Sequence, residues 1–149
     1  MTIEQMKRTM DACYQAKRIR EMLPPLPKGV TPSYIQFLDV IEKMEEKQMP
    51  VKVSDISEQL RIPRPGVTRT VKEMEEKGFL RKETSAEDGR IVYVSITEQG
   101  KQMSYEYNQK TFEKLVECMG EISEEEINCT IATIDKMYRI MSERRIDHA

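Results

Sequence analysis

Between Arg61 and Lys72, in the stretch RIPRPGVTRTVKEMEEKG, lie four cations and no acid; carboxylates resume only at Glu73. Arg64, Arg69 and Lys72, with the Thr68 hydroxyl among them, are donors of the kind that phosphate oxygens and base edges accept from, and an acid among them would repel phosphate. A second constellation is Asp88-Gly89-Arg90. There a carboxylate stands two residues from a guanidinium. Other reactive residue types offer little. Cys13, Cys118 and Cys129 lack the paired spacing of a zinc site or disulfide framework and read as reduced thiols. The only histidine, His148, is one residue from the end of the chain. No His-based metal cluster and no Ser-His or Cys-His pair can therefore form around a core position, so the chain reads as a non-enzyme with no metal or cofactor.

The composition fits a single domain. Of 149 residues, 38% are apolar and 34% charged, the balance of an ordinary soluble protein with a real core. No apolar run is long enough to span a bilayer, and MTIEQMKRTMDACYQ alternates charged and apolar residues where a signal peptide would be continuously hydrophobic. A cytoplasmic protein without a membrane partner is expected. The formal net charge is −2, yet the positive charge is concentrated at Arg61 to Lys72 and again at Lys77, Arg81 and Lys82. An electrostatic footprint for an anionic partner thus exists inside an acidic chain.

Several elements must position these groups. Ile3, Met6, Met10 and Cys13, at spacings of three and four, predict a helix over about 3–22, ended by Pro24, Pro25, Pro27 and Gly29. Thr31 and Pro32 suit the cap and first turn of a second helix, with Tyr34, Phe37, Leu38, Ile41 and Met44 on its buried face. Val51 to Val53 alternates as a very short strand, and Ser54 is the expected cap of a helix holding Ile56 and Leu60. The basic stretch follows as another helix. Val67, Val71 and Met74 form its inner face, and Gly78 its stop. Two strands, Phe79 to Thr84 and Arg90 to Ile96, joined by SAEDG, predict a β-hairpin with an exposed tip. The last third is helical from Thr97 and breaks near Gly120. Ser123 and Glu126 then form a capping box, with Arg139, Arg144 and Arg145 toward the far end. Along that final helix Ile127, Ile131, Ile134, Tyr138 and Met141 repeat as an a/d seam that wants a partner helix.

Two short helices joined by a tight turn and followed by a hairpin make a winged helix-turn-helix, whose second helix enters the major groove of DNA. The fold expected is mainly α with a small β wing. The run ISEQLRIPRPGVTRTVKEMEEKGFLRKETSAEDGRIVYVSITEQGKQ resembles the DNA-binding lobe of the MarR family of bacterial and archaeal transcription regulators. The resemblance is carried by VTR, EEKGFL, the Asp88-x-Arg90 pair and VSITEQGK. It covers about a third of the chain.

What the resemblance implies is a homodimer, with residues 31–100 forming the winged-helix lobe and residues 1–23 and 101–146 pairing across a two-fold axis. Two lobes would then meet half-sites of a pseudo-palindromic operator in double-stranded DNA, roughly 34 Å apart. It assigns DNA contact to Arg64, Thr68, Arg69 and Lys72 on the recognition helix and to Arg90 on the wing, with Asp88 supporting Arg90. It also implies a regulator, by expectation a repressor, that answers a small aromatic or phenolic effector. Tyr14, Tyr34 and Phe37 are the aromatic residues available to line such a pocket; the competing reading of these residues is core. One branch of the family senses peroxide through a first-helix cysteine, which points to Cys13, although the apolar spacing around Cys13 argues for a buried, inert thiol. A protein-protein adaptor without DNA contact is the reading from another class. The chain departs from the family pattern at Arg61, Pro63 and Gly66. In the family glycine is common in the turn, serine often caps the recognition helix, and a hydroxyl often stands in its first turn, so the resemblance assigns no base contact to Pro63 or Gly66.

Overall fold

The computed structural model of the protein describes residues 1–144; Arg145, His148 and the end of the 101–146 region lie outside the described residues. The described chain is helical apart from one small sheet. In order it contains α1 (Ile3–Glu21), α2 (Pro32–Glu46), β1 (Val51–Lys52), α3 (Val53–Leu60), α4 (Arg64–Glu76), β2 (Leu80–Thr84), β3 (Val92–Ile96) and α5 (Glu98–Ser104). A π-helical turn (Tyr105–Gln109), α6 (Lys110–Cys118) and α7 (Glu124–Glu143) follow. This is the mainly α architecture with a β wing that the sequence predicts. Two compact units result, Met1–Thr111 and Phe112–Ala149, so α5 and the π turn group with the winged-helix elements.

The first unit owns the core. Phe37, Leu38 and Ile41 of α2, Ile56 of α3, and Val67, Val71 and Met74 of α4 are completely buried, and Val51, Leu80, Val94 and Ile96 close the cluster from the sheet. The strands run antiparallel in the order β1-β3-β2, with Val51 opposite Val94 and Leu80 opposite Ile96. β3 is therefore central, and β2 is an edge strand. Glu45 of α2 accepts a hydrogen bond from the Ile96 N–H at 2.9 Å, tying the sheet to the helical layer.

Several local starts differ from expectation. Thr31 occupies the N-cap of α2, but its hydroxyl makes no capping bond; the Tyr34 N–H donates to the Thr31 carbonyl instead, at 3.0 Å. Ser54 is not the cap of α3. Asp55 takes the Lys52 N–H at 2.8 Å, which starts the helix at Val53. The hairpin loop is longer than SAEDG, because β3 begins at Val92 rather than Arg90. Ser85 Oγ accepts from the N–H groups of Glu87 and Asp88, and Asp88 accepts from the Arg90 N–H at 3.0 Å. These side chains offer the backbone an alternative to the ladder, so 85–91 folds as a closed turn. Its ends meet through Ser85 N–H to Ile91 O at 2.9 Å.

Thr97 and Gly100 anchor the wing's exit. The Thr97 hydroxyl donates to Gly78 O at 2.6 Å and accepts from the Gly100 N–H at 3.1 Å. A Cβ on Gly100 would stand 2.3 Å from the Phe79 carbonyl oxygen, so only glycine allows α5 to lie this close to the turn after α4. The π turn, which no periodicity announced, and the end of α5 are held to α2: Asn108 Nδ2 of the turn donates to Asp39 at 3.0 Å, and Ser104 Oγ at the end of α5 donates to Glu42.

In the second unit, α7 starts at the predicted capping box. Ser123 Oγ accepts from the Glu126 N–H at 3.2 Å, and the Glu126 carboxylate accepts from the Ser123 N–H at 2.8 Å. Neither α1 nor α7 buries a residue. No helix among the described residues is long and apolar enough to cross a membrane.

Candidate nucleic-acid interface

The turn that leads into α4 is built without glycine. Arg61 takes it in the left-handed conformation at φ 54°, ψ 40°, a conformation that glycine accepts with less strain. Ser57 Oγ donates to Ile62 O at 2.6 Å and steadies the turn from inside. Pro63 then occupies the N-cap without a side-chain bond, and its carbonyl accepts from the Gly66 and Val67 N–H groups at 3.0 and 3.3 Å. Missing proline donors cost α4 little here, because the first N–H groups of a helix have no intrahelical partner.

The two faces of α4 divide cleanly. Val67, Val71 and Met74 are 0% exposed, while Arg64, Thr68, Arg69 and Lys72 are exposed. Among the described residues no ion pair engages Arg64 or Arg69, and Lys72 reaches Glu76 only at 4.0 Å with both side chains solvated. An exposed pair of that kind is worth little, so all three cations remain available to an anionic partner. The helix ends in a Schellman turn, Phe79 N–H to Met74 O and Gly78 N–H to Glu75 O, both 2.9 Å, with Gly78 at φ 82°.

The acids that follow are not simply a repelling boundary. Glu73 accepts from the Tyr34 hydroxyl at 2.9 Å, and Glu75 accepts from Lys82 of β2. Two of the three carboxylates at the end of α4 therefore face protein partners. Burial first, and then the Glu73 carboxylate, push the Tyr34 hydroxyl above its ordinary pKa, so it stays protonated as a donor. Lys82, counted from sequence as part of the positive footprint, is engaged by Glu75.

At the tip of the wing Arg90 is 93% exposed, and its Nε donates to Asp88 Oδ1 at 3.2 Å. The same carboxylate oxygen also takes the Arg90 N–H, so one acid sets both the backbone and the guanidinium.

The effector candidates occupy different environments. Tyr34 and Phe37 belong to the core, with Tyr34 edge-on to Phe79, whereas Tyr14 is exposed on α1. In this conformation Phe37 lines no open pocket, because its whole side chain is used in packing. Cys13 was expected to be buried; in the single chain it is exposed, as are Cys118 and Cys129. The α7 seam stands 45–54% exposed at Ile127, Ile131, Ile134, Tyr138 and Met141. Sequence reading missed Glu75, Thr97 and Gly100 as supports. The only signal for them was their place in EEKGFL and TEQGK, flanking the wing.

Comparison with known proteins bears on this arrangement. Residues 28–91 match the sequence profile of the MarR family. The chain is similar to an uncharacterized HTH-type transcriptional regulator, YdgJ of Bacillus subtilis, 28% identical over 110 residues. That match takes in 73% of this chain and 64% of the relative, so the chain spans less than two thirds of the relative's length. Among solved structures it resembles a MarR/EmrR family transcriptional regulator from Acinetobacter sp. ADP1, with TM-score 0.70 and 18% identity over 97% of this chain and 100% of that one. It also resembles Streptococcus pneumoniae FabT in complex with DNA, with TM-score 0.68 and 19% identity over 95% and 99%. At these identities the likeness shows the fold.

Proposed function

We propose that this chain, whose residues 28–91 match the MarR family, is a MarR-type sequence-specific, DNA-binding transcription regulator that works in the cytoplasm as a homodimer. The observation that carries the reading is the two-faced α4. Three residues without exposure hold it to the core, and Arg64, Thr68, Arg69 and Lys72 are presented outward with no acid among them. In the proposed complex α4 lies in the major groove, where arginine and lysine donate to guanine edges and phosphates. Arg90, held by Asp88, enters the adjacent minor groove, where a fixed guanidinium loses little entropy.

The homodimer rests on the exposed apolar faces of the outer helices. Ile131 and Ile134 of α7, and Ile3 and Ile19 of α1, stand in water in the single chain. Burying the exposed half of such side chains gains about 1 kcal/mol each, so several of them on each of two chains can drive association. Pairing through residues 1–23 and 101–146 would set two lobes on two half-sites. Control by repression, relieved by a small aromatic or phenolic effector, completes the proposal. Such an effector acts only through different affinity for DNA-competent and DNA-incompetent dimers. Because Phe37 and Tyr34 are core residues here, a pocket using them requires the core of the first unit to open, and Tyr14 is the aromatic already accessible.

Titration of the purified protein against its own upstream DNA and a shuffled duplex, at two salt concentrations, tests the reading. A preference for the upstream site of about 10³ or more is expected, with affinity falling as salt rises. Equal, weak binding to both duplexes would instead make the winged helix a protein-protein adaptor.

A further inference from the structure

We propose that Glu75 is a positioning residue that couples the recognition helix to the wing, so that the contribution of Arg90 to DNA binding depends on a carboxylate that itself touches no DNA. The inference rests on the DNA-binding reading above and adds a residue to it.

β2 is the edge strand of the sheet, and every second N–H of an edge strand faces away from its neighbour. At Lys82 that N–H meets Glu75 Oε1 at 3.2 Å, and the Lys82 ammonium meets Oε2 of the same carboxylate at 2.9 Å. One side chain of α4 thus grips both the backbone and the side chain of a single wing residue. The pair differs in kind from Lys72 and Glu76, which lie one turn apart on the same helix and fix nothing beyond it. The hydrogen bonds from Lys82 also hold the Glu75 carboxyl below its ordinary range, as expected for a carboxylate engaged in the charged form.

Leverage makes the grip matter. The other hydrogen bonds between the end of α4 and the wing, the Schellman turn and the bond from Thr97 to Gly78, lie at the wing's base. Lys82 is farther out, level with Val94, the last wing residue that packs in the core. From it the loop tip is on the order of 10–15 Å away at the rise of an extended strand, so a swing of about 10° at the base displaces Arg90 by about 2 Å. That is enough to break the contacts of a guanidinium whose direction Asp88 has already fixed.

The test is a double-mutant cycle on operator affinity, using dimeric full-length protein whose thermal unfolding is unchanged. In the wild-type background Arg90→Ala should weaken binding by about 5–150-fold. In the Glu75→Ala background the same change should cost less than about threefold, while Arg69→Ala, on α4 itself, should cost the same factor in both backgrounds. If Glu75→Ala fails to fold, Lys82→Met removes the ion pair but leaves the backbone bond, and must give non-additivity of the same sign and smaller size. Equal losses from Arg90→Ala in both backgrounds would overturn the coupling. Amide exchange separates this inference from the DNA reading. The Lys82 N–H should exchange slowly in DNA-free wild type and rapidly in Glu75→Ala; an unprotected Lys82 in wild type would overturn the tether even if operator binding were intact.

Discussion

The helices α4 and α7 carry apolar residues at the same three-and-four spacing, and they meet opposite fates. In α4, Val67, Val71 and Met74 are sealed from solvent by α2, α3 and the sheet; in α7, Ile127, Ile131, Ile134, Tyr138 and Met141 are about half exposed. The polar residues diverge too. Those of α4 form an acid-free outer face on a helix its own chain has already fixed, whereas α7 starts with three glutamates in its first turn and leaves its apolar stripe open. Identical periodicity thus marks two tasks. One helix packs inward and leaves its basic outside free; the other leaves its apolar side open, which in the proposed dimer a second helix covers.

The largest effect should come from breaking the sealed side. Phe37→Ala removes a ring with no exposure from the middle of the lobe, and urea or thermal unfolding should show a loss of about 3–5 kcal/mol. Next is the open side. Ile131→Glu with Ile134→Glu should turn a dimer into a monomer in sedimentation velocity, weakening self-association by at least about a hundredfold, because each half-exposed isoleucine forfeits about 1 kcal/mol of burial and the dimer holds two copies of each. The circular dichroism of the lobe should be unchanged. A smaller effect isolates the wing: Arg90→Ala should leave unfolding and dimerisation untouched and cost about 1–3 kcal/mol in salt-controlled operator binding.

The smallest effect concerns pH. Hydrogen bonding to Lys82 lowers the Glu75 pKa, and the Ser123 backbone N–H followed by its hydroxyl lowers that of Glu126. A depressed folded-state pKa means that the unfolded chain takes up its proton first as pH falls. The stabilisation is therefore complete above the ordinary glutamate value of 4.5 and is lost as pH falls through the lower folded values. Both groups are solvent-accessible, so the effect is slight. Melting temperature should fall a little less steeply below pH 4.5 in Glu75→Gln than in wild type.

How much of this was legible depended on how local its cause is. The inner face of α4, the Ser123–Glu126 capping box, the stop at Gly78 and the Asp88–Arg90 contact are all set within a few residues, and each was readable in advance. The start of α3 was misread because two short polar side chains competed and Asp55, not Ser54, reached the free N–H. The long hairpin loop was missed for a related reason: Ser85 and Asp88 take backbone donors that strand composition assigns to the ladder. In sequence Glu73 and Glu75 only mark where carboxylates resume after the cations; Tyr34 lies 39 positions from Glu73, and only the folded lobe brings them together. The bonds from Ser104 at the end of α5 to Glu42 and from Asn108 in the π turn to Asp39 have the same origin. Phe37 shows the converse. An aromatic residue at helical spacing is compatible with a ligand pocket or a core, and packing against the lobe decides for core in this conformation.

The division of labour between the lobe and the outer helices is tested most directly by comparing operator and half-site affinity for wild type and for Ile131→Glu with Ile134→Glu. Two lobes joined by a dimer bind a full operator with the second contact made intramolecular, so wild type should prefer it to an isolated half-site by about 10²-fold or more. The variant should bind both duplexes with the same weak affinity, that of one lobe. If it keeps the wild-type affinity and preference for the full operator, the open face of α7 does not join two lobes, and the account is contradicted.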